Sequence, residues 1–321
     1  MWARALAAVD AWQRAHAAVA FPFAVLKKFG EDRASSLAAL MAYYGFLSLF
    51  PLLLVFVSVL GFVLEDDPAL QQDIVDSAVA RIPGIGAQLS DQVEPLTGST
   101  PALVIGLVGA LWAGLGVTLA LGRAFNEIWD VPRFEQRKAL LARAYGLAAL
   151  AVLGVALVAS TLLAGLALGG GIGPSLERLT AVALSLVLNV AVLLAVFGLL
   201  TQRPFRIPEL LPGVTLAAVG GLILQSVGGV YVNRTVIGAS DTYGTFALVI
   251  GLLSWFWLAS HLLLFAAEVN VVLRRRLWPR SLTGDFAPAD REALRRSAEA
   301  SRHDEREEIS VRFEDDASER S

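Results

Sequence analysis

Two groups of polar side chains stand where the chain is otherwise apolar. Glu268 and Asn270 lie at the end of a long hydrophobic run, just before Arg274–Arg275–Arg276. In a helix, Glu268 would sit about 9 Å inside that basic edge. A carboxylate at that depth costs a few kcal/mol if ionised and unpaired. It must pair with a cation, accept several donors, or carry a proton. A structural ion pair and a proton- or cation-coupling site are both compatible with this position. Tyr44, Ser48 and Pro51 are spaced i, i+4, i+7 and share one helix face, with Tyr43 beside them. Pro51 has no N–H for the carbonyl of Leu47, which predicts a kink. Asn189 and Gln225 each interrupt a further apolar run. An amide in hydrocarbon needs a partner, so both should face other helices. Tyr43, Tyr44, Ser48, Pro51, Asn189, Gln225, Glu268 and Asn270 are the candidate lining of a substrate cavity; the competing reading is that they only glue helices together.

A second group falls in Gly122–Phe134, GRAFNEIWDVPRF. Arg123 and Glu127 are spaced i, i+4, Glu127 and Asp130 i, i+3, and Asn126 lies among them. These residues form a candidate cytoplasmic polar cluster, or simply a charged helix end turning into a loop. Other chemistry has no residues to carry it. Cysteine is absent, and the three histidines, His16, His261 and His303, lie in unrelated surroundings. There is no HExxH or similar ligand spacing, no GxxxxGK[ST] loop and no GxSxG elbow. The expectation is a protein that is not an enzyme and needs neither metal nor cofactor.

These residues are positioned by hydrophobic spans. The chain is 56 % hydrophobic and 17 % charged, well below the ~25 % charged content of soluble domains. Six charge-free runs, 34–64, 95–122, 144–176, 179–202, 210–233 and 242–267, each exceed the ~20 residues needed to cross ~30 Å of hydrocarbon. The fold class expected is all-α, a polytopic membrane protein with six transmembrane helices. Sixteen Lys and Arg residues flank one set of ends, against Arg81, Arg178 and Arg234 on the other. That places both termini in the cytoplasm. Basic patches in such loops need no nucleic acid to explain them.

Three domains follow. Residues 1–33 read as amphipathic interfacial helices rich in Trp and basic residues. Residues 34–276 form the transmembrane domain. Its acidic segment 65–100 is read as a helical extracytoplasmic cap between the first two spans. Residues 277–321 are charged and poor in large apolar side chains, which predicts a disordered or loosely helical cytoplasmic tail.

Several segments resemble the YihY/BrkB family of bacterial inner-membrane proteins, historically mislabelled ribonuclease BN. They are FGEDRASSLAALMAYYGFLSLFPLLL (29–54), LWAGLGVTLALGRAFNEIWDV (111–131), PFRIPELLPGVTLAA (204–218), YVNRTV, and TYGTFALVIGLLSWFWLASHLLLFAAEVN ending at Asn270. The resemblance covers most of the chain, from about Phe29 to Arg274. It implies a multi-pass six-helix inner-membrane bundle with both ends cytoplasmic. It also implies a role in envelope integrity, with serum resistance in one branch and movement of lipid or lipopolysaccharide-like molecules in another. The favoured expectation is a protein that handles a lipid-like or amphipathic substrate without its own ATPase, partnered by membrane lipids; whether a cavity exists between the first, fifth and sixth spans is the observation that bears on it most. The alternatives are a non-transporting envelope scaffold and, remotely, a membrane-associated ribonuclease.

Overall fold

The computed structural model describes residues 2–63, 100–168, 174–243, 245–283 and 286–313. All regular structure among them is helical: α1 (Trp2–Ala15), α2 (Ala17–Glu31), α3 (Ala34–Val63), α4 (Thr100–Ile128), α5 (Ala139–Leu168), α6 (Pro174–Leu200), α7 (Ile207–Tyr243), α8 (Thr245–Arg275) and α9 (Pro288–Ala300), with a 3-10 turn at Arg133–Glu135. Among the described residues, five helices, α4 to α8, contain stretches long and apolar enough to cross a membrane. The first predicted span forms the 30-residue helix α3, with a shorter described apolar stretch at Ala34–Leu49. The chain is an all-helical polytopic membrane protein. The predicted outer cap lies outside the described residues.

The six long helices close a ring in chain order. Each packs on the next, and α8 returns to α3. Close approach between α3 and α4 depends on glycine. A Cβ at Gly116 would lie 2.5 Å from the Tyr44 ring, and one at Gly109 would lie 3.1 Å from Pro51. Gly109 and Gly116 are two turns apart on one face of α4, whereas Gly114 turns towards Leu150 of α5. Tyr44 and Pro51 are therefore packing residues of the α3–α4 seam.

α7 corrects one expectation. The fifth charge-free run ends at residue 233 with Arg234 placed among the outer ends, yet the helix continues through residues 234–243. This interval contains no proline, and Gly238 alone is a weak breaker. At 37 residues α7 is about 55 Å long, so it projects well beyond a ~30 Å hydrocarbon core.

The N- and C-terminal segments are tied together at the end of the ring that carries the basic loops. α2 lies against α8 and α3, and α1 lies against α2. The carboxylate of Asp290 accepts from Lys27 Nζ at 2.8 Å, Arg280 Nε at 2.5 Å, and the N–H groups of Ser281 and Ala287 at 2.9 and 3.0 Å. Arg280 donates from Nη2 to both oxygens of Glu31, at 2.7 and 2.8 Å. Asp10 accepts from the Leu282 N–H at 2.8 Å and pairs with Arg14. Burial works against both the Asp10 and the Asp290 anion, but these donors hold each carboxyl below its usual range. This is a second departure from expectation. Composition predicted a disordered or loosely helical tail, yet Arg280, Ser281 and Asp290 are buried and tie the segment carrying α9 to the N-terminal helices. Few large apolar side chains are needed when charge-assisted hydrogen bonds supply the contacts.

Candidate functional site: a buried charge cluster and an intramembrane cavity

The basic end contains a buried cluster drawn from four segments. α4 ends with Asp130 in the left-handed region (φ 45°), and the Val131 N–H closes back on the Asn126 carbonyl at 2.8 Å. Asp tolerates this conformation better than most residues, and the turn points its carboxylate inward. There it pairs with Arg275 from the end of α8, whose Nη2 also donates to the Trp129 carbonyl at 2.5 Å. Lys28 of α2, only 3 % exposed at its side chain, sits at the centre. Its Nζ is 2.5 Å from Asp32, 3.7 Å from Asp130 and 3.9 Å from Glu268. Arg274 and Arg275 also stand over the fully buried Trp129 ring.

Three carboxyl groups thus share two cations. Burial alone would lower the pKa of Lys28, but the charges of Glu268, Asp32 and Asp130 more than offset it and hold the ammonium above its ordinary value. Burial raises Asp32 to about 6, against the pull of Lys28 and with the charge of Asp130 adding to the rise. Neither oxygen of Glu268 meets a donor. Two bare buried carboxylate oxygens are costly. The Oε2 of Glu268 stands 3.9 Å from Lys28 Nζ, close enough for an ion pair but too far for a hydrogen bond. A cavity of ≈ 70 Å³ bounded by Asp32, Asn126, Asp130 and Ser297 adjoins the cluster, with room for about two waters.

Asn270 has a different task. Pro212 lies inside α7, and the next residue, Gly213, donates its N–H to Asn270 Oδ1 at 2.7 Å. A Cβ at Gly213 would collide with the Ala266 carbonyl oxygen and come within 2.6 Å of Asn270 Cγ. The α7–α8 crossing therefore needs glycine and asparagine together.

Deeper in the span lies a cavity of ≈ 380 Å³ among α5, α6, α7 and α8. Its walls are largely apolar, with Asn189, Gln225 and Trp255 supplying the polar edges. That volume falls within the range of small-molecule sites. Asn189 and Gln225, distant in sequence, meet on this one surface.

A family model described as virulence factor BrkB matches residues 25–288. The chain belongs to the BrkB family. Among curated relatives, YfkH of Bacillus subtilis strain 168, which carries a ribonuclease-like name, is 27 % identical over 263 residues, covering 75 % of this chain and 90 % of the relative. The Escherichia coli K12 inner membrane protein YhjD is 27 % identical over 263 residues, covering 75 % and 77 %. No solved structure matches the chain.

Within this BrkB-family chain the structure sorts the sequence candidates into separate places. Glu268 joins the charge cluster, Asn270 the helix crossing, and Asn189 and Gln225 the cavity. Tyr43 is 54 % exposed on the outer face of α3. Tyr44 and Pro51 pack on α4, and Ser48 donates to its own Gly45 carbonyl at 2.8 Å. The cavity lies among α5–α8 and not between the first, fifth and sixth spans, where the polar stripe of α3 is consumed in packing. Of the predicted polar cluster, Asp130 enters the charge set. Asn126 is buried, and Arg123 and Glu127 are exposed. Among the described residues no group of His, Cys, Asp or Glu forms a metal-ligand set. Sequence reasoning missed Lys28 and Arg275, which looked like ordinary basic-flank residues, and with them the acid Asp32. The available signal was Lys28 itself, set on the apolar face of α2 with Ala24 and Val25.

Proposed function

We propose that this chain is a non-enzymatic inner-membrane protein that accommodates a lipid-like, amphipathic molecule in the cavity among α5–α8 and moves it without an ATPase of its own. The observation that carries this reading is the cavity itself: ≈ 380 Å³ of largely apolar wall with Asn189 and Gln225 converging on it. Lipid packing has no use for two amides, whereas an amphipath with one polar group does. In this reading the basic end faces the cytoplasm, and membrane lipids are the partners. That the relative YhjD is named an inner membrane protein supports the inner membrane as the location. In this reading a proton held between Asp32 and Glu268 is the coupling element, and the bare, buried oxygens of Glu268 support it.

The test is lipid retained through detergent exchange, quantified by mass spectrometry. Wild-type protein retains a tightly held amphipath, and N189L/Q225L retains about tenfold less, from the loss of two hydrogen bonds. Equal retention by the two proteins overturns the reading. A second reading, a scaffold that transports nothing, draws on the dense ionic tie between the terminal segments, which fixes the basic end. Under that reading the double variant changes nothing but stability.

A further inference from the structure

We infer that a second pocket, at the basic end between the end of α4, the start of α5 and the α6–α7 connection, binds the phosphate group of an anionic lipid. The site is separate from the cavity among α5–α8 and does not depend on transport. It encloses ≈ 290 Å³, and its lining includes Arg123, Arg137 and Arg143 with no Asp or Glu. Like charges gathered without counter-charge repel one another and weaken the fold, so their convergence calls for an anion.

One arginine is already fixed for the purpose. Arg137 donates its backbone N–H to Gln202 Oε1 and its Nη1 to the Leu199 carbonyl, each at 2.6 Å, and its guanidinium stacks 3.6 Å from the Tyr145 ring centroid. Such an arginine loses little further freedom when it meets a phosphate. Arg123 and Arg143 are exposed, and neither has an acidic partner among the described residues. They are free to close on a ligand from the α4 and α5 sides. Asn126 lines the same pocket. It is 5 % exposed there.

The surroundings favour a lipid as the source of the phosphate. Leu140 and Leu141, on the first turn of α5 beside the pocket, are 78 % and 55 % exposed. They extend an apolar surface for acyl chains from the rim. Guanidinium groups clustered next to such a surface, at the edge of a span, fit an anionic headgroup.

The experiment titrates full-length protein, in native mass spectrometry and in thermal unfolding, with phosphatidylglycerol or cardiolipin and, separately, with phosphatidylcholine. Glycerol 3-phosphate and inorganic phosphate serve as soluble competitors. Wild type binds the anionic lipids in preference to phosphatidylcholine. R123Q/R143Q binds them about tenfold or more weakly while its ligand-free unfolding temperature is kept, because both side chains are exposed. K138Q removes a neighbouring cation outside the pocket and binds as wild type. N189L/Q225L also binds anionic lipid as wild type, which separates this site from the cavity. Unchanged binding in R123Q/R143Q, or an equal loss in K138Q, overturns the site. Competition by glycerol 3-phosphate at the same affinity as lipid overturns the headgroup assignment.

Discussion

The charge cluster and the intramembrane cavity are built from the same kind of raw material, polar side chains placed in apolar helices, and they solve opposite problems. At the basic end, Lys28 is enclosed by three carboxyls from different segments, and α2 is pinned to α4 and α8. In the middle of the span, Asn189 and Gln225 border open space and tie nothing together. Polar groups near a helix end can draw on charged neighbours from loops and interfacial helices. Those at mid-span have only apolar helices around them, so they stay unpaired unless a ligand or a cavity serves them. The first arrangement fixes the architecture, and the second leaves room for a guest.

The comparison breaks most readily at Lys28. K28M leaves three carboxyls facing Arg275 alone, and the folded state should lose about 3–5 kcal/mol, seen as a collapse in the thermal unfolding midpoint in detergent. A small effect there would remove the ionic lock from the account. Next in size is G213A, which forces α7 and α8 apart and should cost about 1–3 kcal/mol by overpacking. N270A leaves space but frees the Gly213 N–H, and its cost should be about 1 kcal/mol.

The pH response sharpens the same contrast. Asp32, raised to about 6 from 3.8, binds a proton in the folded state that the unfolded chain has already released between those values. Stability therefore falls as pH rises through that window. Asp10 and Asp290, both held below their usual value, act in the other direction: their contribution is present above 3.8 and is lost as pH drops through their folded values. The unfolding midpoint should peak between pH about 4 and about 5 and be lower at pH 7. E268Q supplies an amide donor at the position where the proposed proton would be held, beside carboxyl oxygens that otherwise meet no donor. It should leave the midpoint at pH 7 unchanged or higher and flatten its fall. A loss as large as that of K28M would mean that Glu268 is an ionised partner of Lys28. The smallest effect on stability is expected from N189L/Q225L, within about 1 kcal/mol, because neither amide holds the bundle.

Much of the architecture was legible because membrane spans announce themselves by length and absence of charge. Glu268 and Asn270 were legible as a conflict between residue type and depth. Their partners were not. Lys28 lies 240 residues away in sequence, and a basic residue beside a span has an ordinary explanation in the charge rule, so nothing local marks it as buried. Arg280 and Asp290 hid in a segment whose composition reads as solvated, because ion pairs leave no apolar periodicity. The stripe of Tyr44, Ser48 and Pro51 misled in the opposite way. Its spacing describes one helix face correctly, but whether such a face meets a glycine seam or a cavity is decided by the neighbour, here Gly109 and Gly116 of α4.

The most direct test is transbilayer movement of a fluorescent phospholipid in proteoliposomes, comparing wild type with N189L/Q225L at equal incorporation. The account predicts protein-dependent movement in wild type that drops to the protein-free rate in the variant, while the unfolding midpoint is retained. Movement absent from wild type, or undiminished in the variant, contradicts it.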